Sequence, residues 1–214
     1  MSATRVKICG VTRLEDAELA ASLGAWAIGM VFYEPSPRSC AVGDAELIGA
    51  ALHRRVEIAG VFVNAPLEEV VNVSERAHLT LVQLHGEEGP AYCAEVARRT
   101  GARTIKAAAV QGLYSLQDLE RYHTDFHLLD GHAPGLRGGT GRAFDWSLVA
   151  ARRHGAPPLI VAGGLDASSV AEAVEATSPY AVDVSSGVEA APGVKDPERM
   201  QAFFDAAAQA AVSS

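Results

Sequence analysis

The stretch RVKICGVTRLEDAELAASLGAWAIGMVF, residues 5–32, contains one complete strand–helix–strand unit. A short β-rich run at 5–9 is followed by an alanine-rich segment with helical patterning at 13–23, and then by a second apolar run at 26–32. A single helix between two adjacent strands forces them to run in the same direction, because parallel strands need a crossover connection. The stretch therefore predicts a βαβ unit and a parallel sheet.

The same alternation continues along the rest of the chain. The predicted β-rich runs lie at residues 5–9, 26–32, 57–63, 79–85, 103–110, 126–130, 158–164 and 180–186. Predicted helices follow them at residues 13–23, 43–54, 66–77, 88–100, 115–122, 145–153, 167–176 and 196–211. Eight short units predict a closed (β/α)8 barrel, and no linker divides residues 1–214, so one domain is expected. A doubly wound open sheet is the alternative, but it usually has fewer units and a phosphate loop after its first strand.

The composition points to a small-molecule partner. Hydrophobic residues make up 49% of the chain and charged residues 21%, which is typical of globular proteins. The formal net charge is -8 and no lysine or arginine run is present, so no nucleic acid and no anionic membrane is expected as a partner. No apolar run approaches the roughly 18 residues of a membrane helix, and the N-terminus has no apolar signal core, so we expect a cytoplasmic location.

The cysteines are predicted to be free thiols. They lie at positions 9, 40 and 93, outside any C-x-x-C motif or histidine cluster, so neither a disulfide framework nor a metal site is expected. An isolated cysteine in an apolar strand is usually a small buried hydrophobic residue. For Cys9 this interpretation competes with a functional one, because Cys9 ends the first strand of the predicted barrel.

Polar residues and glycines collect at one end of the predicted strands. Parallel strands place their carboxyl ends on the same rim, where barrel enzymes carry their functional groups. The residues at these ends are Cys9, His85, Asp130, Gly163, Gly164, Ser185, Ser186 and Gly187. Side chains alternate along a strand, so Lys7 lies one layer below Cys9 and Asp183 one layer below Ser185. Because closure makes the first and eighth strands neighbours, we predict a buried Lys7–Asp183 ion pair.

The glycine-containing ends of the seventh and eighth strands suggest a phosphate site. Backbone N–H groups at tight turns can converge on an anion, and in many barrels these two loops hold phosphate. The predicted phosphate-binding residues are Gly163, Gly164, Ser185, Ser186 and Gly187. Ordinary turns would give the same local sequence, and that alternative stays open.

The longest segment without predicted secondary structure, 131–143, follows the sixth strand. Mobile functional loops occupy this position in barrel enzymes. The glycine-rich words GGTGRAFDW at 138–146 fit either a lid that covers substrate or a passive connector.

Nine short words, in order along nearly the whole chain, resemble the phosphoribosylanthranilate isomerase family. They are KICGVTR (7–13), SPRS (36–39), GVFVN (60–64), VQLHG (82–86), LLDG (128–131), GGTGRAFDW (138–146), AGGL (162–165), DVSSGVE (183–189) and PGVKD (192–196). The resemblance implies an Amadori rearrangement of N-(5-phosphoribosyl)anthranilate to 1-(2-carboxyphenylamino)-1-deoxyribulose 5-phosphate in tryptophan biosynthesis. It implies no cofactor and no metal. By the family's motifs, Cys9 is the general base, Asp130 the general acid and Arg38 the partner of the anthranilate carboxylate.

The implied chemistry needs one acid and one base. Opening the furanose requires a proton on the ring oxygen, after which an iminium forms and the C2 proton becomes acidic. Asp130 must start protonated, so desolvation is expected to raise its pKa. Cys9 must be a thiolate, and from an ordinary pKa of about 8.5 it needs help from a nearby cation. Lys7 is a candidate for that help, although its charge can instead be used fully by Asp183.

Two further residues are predicted to meet the substrate. Arg38 offers a planar fork of donors that suits a carboxylate better than the point charge of a lysine. His85 is either a ligand contact or a rim histidine whose hydrogen bonds are satisfied within the protein.

Three other functions remain to be compared with the isomerase. Lys106 on the fifth strand could be a Schiff-base lysine of the aldolase kind. An isomerase of the related histidine-pathway aminoaldose would use an aspartate where Cys9 stands and would carry two phosphate sites. A non-catalytic barrel that only binds phosphate would have no need of Cys9 or Asp130. Both a monomer and a homodimer are compatible with the sequence.

Overall fold

Eight parallel strands form a closed barrel in the order of the chain. The computed structural model describes residues 4–109, 113–131 and 155–210, together with residues 146, 149, 152 and 153. The strands are β1 (Arg5–Cys9), β2 (Ala27–Phe32), β3 (Glu57–Phe62), β4 (Leu81–Leu84), β5 (Arg103–Ala109), β6 (Phe126–Asp130), β7 (Leu159–Ala162) and β8 (Ala181–Val184). Strand β1 pairs in parallel with both β2 and β8, which closes the sheet. The predicted (β/α)8 barrel is confirmed.

Helices connect the strands on the outside of the barrel. They are α1 (Leu14–Ser22), α2 (Val42–Leu52), α3 (Leu67–Arg76), α4 (Pro90–Thr100), α5 (Leu113–Leu119), α6 (Val170–Thr177) and α7 (Pro197–Ala210). Asp196 caps α7, because its Oδ1 accepts the backbone N–H groups of Glu198 and Arg199 at 3.0 and 3.1 Å. In the part of the chain that the structure describes, no helix is long and apolar enough to cross a membrane. The predicted helix at 145–153 and the predicted loop beyond residue 131 fall outside the continuous described ranges.

Two apolar clusters divide the core. The larger one packs the outward faces of the strands against the helices. The smaller one fills the inside of the barrel with Ala27, Ala59, Leu81, Ile105, Ala107, Phe126, Leu128, Ile160, Ala162 and Ala181. The interior combines small residues, all of them alanines, with large ones, and side chains of this kind fill the inside of a narrow barrel. The inward positions nearer the carboxyl ends carry polar side chains instead, and they form the floor of the site.

A short hairpin after β8 was not predicted. A 3-10 turn at Ser186–Val188 leads into β9 (Glu189–Ala191), which pairs antiparallel with β10 (Val194–Lys195). Two contacts dock the hairpin beside the end of β1: Thr12 Oγ1 donates to the Gly193 carbonyl at 2.7 Å, and the Lys195 backbone N–H donates to Asp16 Oδ2 at 3.1 Å. Strands of two or three residues are too short to produce a recognisable alternation in the sequence.

Candidate active site

A cavity of about 550 Å³ opens at the carboxyl ends of the barrel strands. Most of the predicted site residues line it, namely Cys9, Arg38, His85, Asp130, Gly163, Gly164, Ser185 and Ser186. Gly187 is not part of this lining, and a Cβ at that position would collide with the carbonyl oxygen of Leu165. The topology therefore gathers residues from six different strand ends around one space, as the parallel arrangement predicts.

Lys7 and Asp183 form the predicted buried ion pair. They are register partners on β1 and β8, and Lys7 Nζ lies 3.0 Å from Asp183 Oδ1. The Lys7 side chain is fully buried and that of Asp183 is 7% exposed. Burial alone would lower the pKa of Lys7, but the neighbouring Asp183 carboxylate, with the acidic side chain of Cys9, outweighs it and raises that pKa. Lys7 is therefore a charged ammonium inside the barrel.

Cys9 stands directly above this pair, at the end of β1. Gly29 on the neighbouring strand makes room for both groups, since a Cβ there would lie 3.0 Å from Cys9 Sγ and 3.0 Å from Lys7 Nζ. Burial raises the pKa of the Cys9 thiol, and the Lys7 ammonium opposes that rise without cancelling it. Lys7 thus acts on both of its neighbours, Asp183 and Cys9, so its charge is not used by Asp183 alone.

Arg38 lies in a network that the sequence did not predict. Its Nε donates to Glu189 Oε1 at 2.9 Å and its Nη2 donates to Glu189 Oε2 at 2.7 Å. Glu189 is 6% exposed, and hydrogen bonds from Arg38 and Lys195 overcome the effect of burial and lower the pKa of its carboxyl. One edge of the guanidinium is therefore bound within the protein. The opposite edge, formed by Nη1 and the second N–H of Nη2, is the one that can serve a ligand carboxylate.

Lys195 connects this network to the floor of the cavity. Its buried ammonium donates to the Cys9 carbonyl at 2.6 Å, to Glu189 Oε1 at 2.9 Å and to the Ser185 carbonyl at 3.2 Å. These three bonds fix the ends of β1 and β8 relative to the hairpin. The positions of Cys9 and Arg38 are thus set by one shared group.

His85 faces the predicted acid across the cavity. Its Nε2 lies 3.5 Å from Asp130 Oδ2, and its Nδ1 is hydrogen-bonded to Gln83 Nε2 at 2.9 Å. Because the Gln83 amide nitrogen can only donate, Nδ1 is the acceptor of this contact, and the ring proton on Nε2 is directed toward Asp130. His85 lies on the cavity wall beside Asp130, and both interpretations offered by the sequence, a ligand contact and a satisfied rim histidine, stay open.

The glycine turns after β7 bring backbone close to the acid. Gly163 has φ +92, and a Cβ there would collide with the Gly131 backbone and lie 2.6 Å from Asp130 Oδ1. Gly164 follows with φ +68. On the other side, the Ser185 hydroxyl is buried and has no hydrogen-bond partner among the described residues. An unpartnered hydroxyl beside two glycine turns is an arrangement that an anionic ligand would complete.

The remaining candidates lie outside the cavity. Lys106 is ion-paired with Glu88 at 2.8 Å and donates to the Gly86 carbonyl at 2.7 Å, so its amine is occupied and the aldolase alternative has no support here. Cys40 and Cys93 are buried free thiols, as predicted. Burial raises the pKa of the Cys40 thiol to about 12.

Three residues of the site were missed from the sequence: Gln83, Glu189 and Lys195. Glu189 and Lys195 belong to the words DVSSGVE and PGVKD, which were noted only for their resemblance. Their presence in these two family-like words was the only sequence feature that could have marked them as site residues. Nothing in local spacing indicates that a carboxylate at 189 reaches a guanidinium at 38.

In essentially every characterised (β/α)8-barrel enzyme the active site lies at the carboxyl ends of the strands, where this protein has its polar cavity, and the protein belongs to that class of enzymes. The profile of one family, N-(5'-phosphoribosyl)anthranilate (PRA) isomerase, matches residues 6–206. The chain belongs to the PRA isomerase family.

Individual relatives agree with this assignment. The chain is 48% identical over 200 residues to N-(5'-phosphoribosyl)anthranilate isomerase of Geobacter metallireducens, covering 94% of this chain and 96% of that one. The crystal structure of phosphoribosyl anthranilate isomerase from Thermotoga maritima superposes with a TM-score of 0.86 at 40% identity, covering 95% and 98% of the two chains. A further crystal structure of phosphoribosyl anthranilate isomerase, in complex with reduced 1-(o-carboxyphenylamino)-1-deoxyribulose 5-phosphate, gives a TM-score of 0.83 at 38% identity and the same coverage.

Proposed function

We propose that this protein catalyses the Amadori rearrangement of N-(5-phosphoribosyl)anthranilate to 1-(2-carboxyphenylamino)-1-deoxyribulose 5-phosphate, a step of tryptophan biosynthesis. The observation that carries the proposal is that the Cys9 thiol and the Asp130 carboxyl, from β1 and β6, open on the same cavity. Membership of the PRA isomerase family supports the substrate, and so does the relative whose complex holds a reduced form of the product.

Asp130 is the proposed general acid. Its proton goes to the furanose ring oxygen, the C1–O bond breaks, and the anthranilate nitrogen forms an iminium with C1. The Asp130 carboxylate produced in this step faces the Nε2 proton of His85 across 3.5 Å. That proton favours the carboxylate over the acid, so His85 assists proton release to the sugar.

Cys9 is the proposed general base. Its thiolate removes the C2 proton, which the iminium has made acidic, and the electrons move toward nitrogen to give an enolamine. Tautomerisation of the enolamine gives the ketone product. Lys7 lies beneath the sulfur and supplies positive charge there.

The two ends of the substrate are proposed to bind on opposite sides of these groups. The anthranilate carboxylate meets the outer edge of Arg38, whose inner edge is held by Glu189. The phosphate lies at the turns after β7 and β8, with Gly163, Gly164, Ser185, Ser186 and Gly187 as the proposed contacts. The buried Ser185 hydroxyl supports this location. The substrate would then cross the cavity with C1 and C2 between Asp130 and Cys9.

Three broader expectations remain proposals. Residues 1–214 are proposed to form one catalytic domain, which the family match over 6–206 supports. Monomer and homodimer are both kept as oligomeric states, and a cytoplasmic location stays a prediction from composition.

The test is turnover by the purified protein together with rescue of a tryptophan auxotroph. We expect the parent to rescue growth, and Cys9→Ser and Asp130→Asn to lower kcat by about 10²- to 10⁴-fold, the range for losing a general acid or base. Circular dichroism and thermal melts identify variants that fold. A folded parent protein without turnover on this substrate would overturn the proposal. Turnover on the histidine-pathway aminoaldose alone would replace it by that activity.

A further inference from the structure

Lys7 is one cation between two buried acids. Its Nζ is 3.0 Å from Asp183 Oδ1, and it shares the space beside Gly29 with Cys9 Sγ, because a Cβ at Gly29 would lie 3.0 Å from both Lys7 Nζ and Cys9 Sγ. Water hydrates neither anion well, because the exposed fraction is 7% for Asp183 and 9% for Cys9. In a buried site a charge is tolerated when it is paired, and one ammonium fully pairs one anion.

Among the described residues, the other cations that face Cys9 are already paired. Lys195, from the hairpin, is 2.9 Å from Glu189 Oε1 and uses its remaining donors on backbone carbonyls. Arg38, from the segment after β2, makes its two-point ion pair with the same Glu189. Both add positive potential at Cys9, but Lys7 is the cation whose Nζ shares the space beside Gly29 with Cys9 Sγ.

Asp183 faces a carboxyl and a histidine as well as Lys7. Burial favours its neutral form, Lys7 favours its anion, and the nearby Asp130 again favours the neutral form, with His85 opposing weakly. The balance leaves the pKa of Asp183 raised, so this carboxyl can take up a proton inside the barrel.

We propose that Lys7 makes Cys9 and Asp183 a coupled proton pair, in which the Cys9 thiolate forms when Asp183 takes up a proton. The step is balanced: Lys7 gives one of its protons to Asp183 Oδ1 and receives the thiol proton of Cys9. A thiol, an ammonium and a carboxylate become a thiolate, an ammonium and a carboxylic acid. The net charge of the buried group is zero before and after, so no uncompensated charge is created.

Asp183 is then a positioning residue that controls the base through Lys7, which is itself a positioning residue. The inference rests on the proposed function for its catalytic meaning, since it concerns the base of that reaction. Its physical content is independent of substrate, because it states how the proton affinity of one thiol depends on one carboxyl. That dependence can be measured without turnover.

The experiment is the pH dependence of Cys9 alkylation by iodoacetamide, followed by mass spectrometry of the Cys9 peptide. Asp183→Asn removes the competing anion and leaves the ammonium to the thiol, so we expect about tenfold faster alkylation near pH 7, which is about one unit of the Cys9 pKa. Lys7→Met removes the cation, and we expect alkylation to slow by a similar factor. If the Lys7–Asp183 pair had only a structural role, the two variants would not change the rate of Cys9 alkylation in opposite directions.

A matched control comes from the other buried lysine–carboxylate pair. Glu88→Gln makes the same chemical change beside Lys106 and is expected to leave Cys9 alkylation unchanged. If Lys7→Met does not fold, Asp183→Asn decides alone, because the amide has the same shape as the carboxyl. Equal or slower alkylation in folded Asp183→Asn overturns the inference. Absence of isomerase turnover in a parent protein whose variants show these opposite shifts would overturn the proposed function and leave this inference standing.

Discussion

The Arg38 guanidinium and the Glu189 carboxylate form a two-point ion pair at the edge of the cavity, with Nε–Oε1 and Nη2–Oε2 distances of 2.9 and 2.7 Å. Glu189 is held in turn by Lys195 and by the Gly193 backbone N–H at 3.2 Å. A guanidinium fixed in this way loses less conformational entropy when it binds a ligand. The hairpin that carries Glu189 therefore prepares Arg38 for an anionic group.

Replacement of Glu189 by glutamine should weaken substrate binding more than it slows the reaction. An amide makes a weaker, uncharged contact with Arg38, so we expect KM to rise about fivefold to tenfold, or about 1 to 1.4 kcal/mol, with kcat nearly constant. Steady-state kinetics give both constants. Glu57→Gln, which weakens an Arg103–Glu57 pair at the amino ends of the strands, is the matched control and should leave KM unchanged. A fall in kcat with constant KM would contradict the expected role of Glu189.

Gly29→Ala should disturb the base without unfolding the barrel. The new Cβ would lie 3.0 Å from both Cys9 Sγ and Lys7 Nζ, so both groups must shift. We expect a loss of about tenfold in kcat and a destabilisation of about 1 to 2 kcal/mol, the usual cost of overpacking. Kinetics and urea unfolding measure the two effects. Gly43→Ala, in helix α2 where a Cβ meets nothing within 4 Å, should leave kcat unchanged and should not destabilise the fold. Full activity in Gly29→Ala would show that the sulfur has room to move.

The buried Glu88–Lys106 pair should make stability depend on pH. Burial acts to raise the pKa of Glu88, but hydrogen bonds from Lys106 and the Asn64 backbone N–H overcome it and lower that pKa. A lowered folded-state pKa means that the carboxylate stabilises the fold above its unfolded value of about 4.3, and that this contribution is lost as pH falls through the folded value.

Glu88→Gln should therefore lower the free energy of unfolding by about 3 kcal/mol at pH 7, because it leaves the Lys106 ammonium buried without its anion. The difference from the parent should hold down to about pH 5 and shrink below about pH 4. Urea unfolding at a series of pH values measures it. Glu95→Gln removes a carboxylate from an exposed pair with Arg98 and should leave stability unchanged throughout. A stability difference that grows toward low pH would contradict the lowered pKa of Glu88 in the folded protein.

Cys40 should stay unmodified under conditions that alkylate Cys9. Burial and the nearby Asp44 raise the pKa of Cys40 to about 12, so its thiolate is scarce at pH 8, and its side chain lies away from the cavity. Mass spectrometry after a short iodoacetamide treatment of the native protein should find label on the Cys9 peptide first. Unfolding in urea should abolish the difference. Earlier labelling of Cys40 would mean that the segment after β2 opens readily.

The sequence predicted the barrel because its signals are local and repeated. Each strand is a short β-rich run and each helix has its own pattern, so the eightfold alternation survives errors of a residue or two at the boundaries. Parity along β1 and β8 and their adjacency after closure were enough to predict the contact between Lys7 and Asp183, which is 3.0 Å in the structure. The strand ends likewise gave Cys9, His85 and Asp130 as neighbours of one cavity.

The sequence by itself thus determined the architecture and which strand ends share a space, because β periodicity and chain direction fix both. Tertiary structure alone decided how charge is distributed there: that Glu189 takes one edge of Arg38, that Lys195 joins Glu189 to the Cys9 carbonyl, and that Lys7 serves two acids. The physical reason is that electrostatic interactions depend on distance and burial in three dimensions. Residues 151 positions apart, such as Arg38 and Glu189, carry no local signal of their contact.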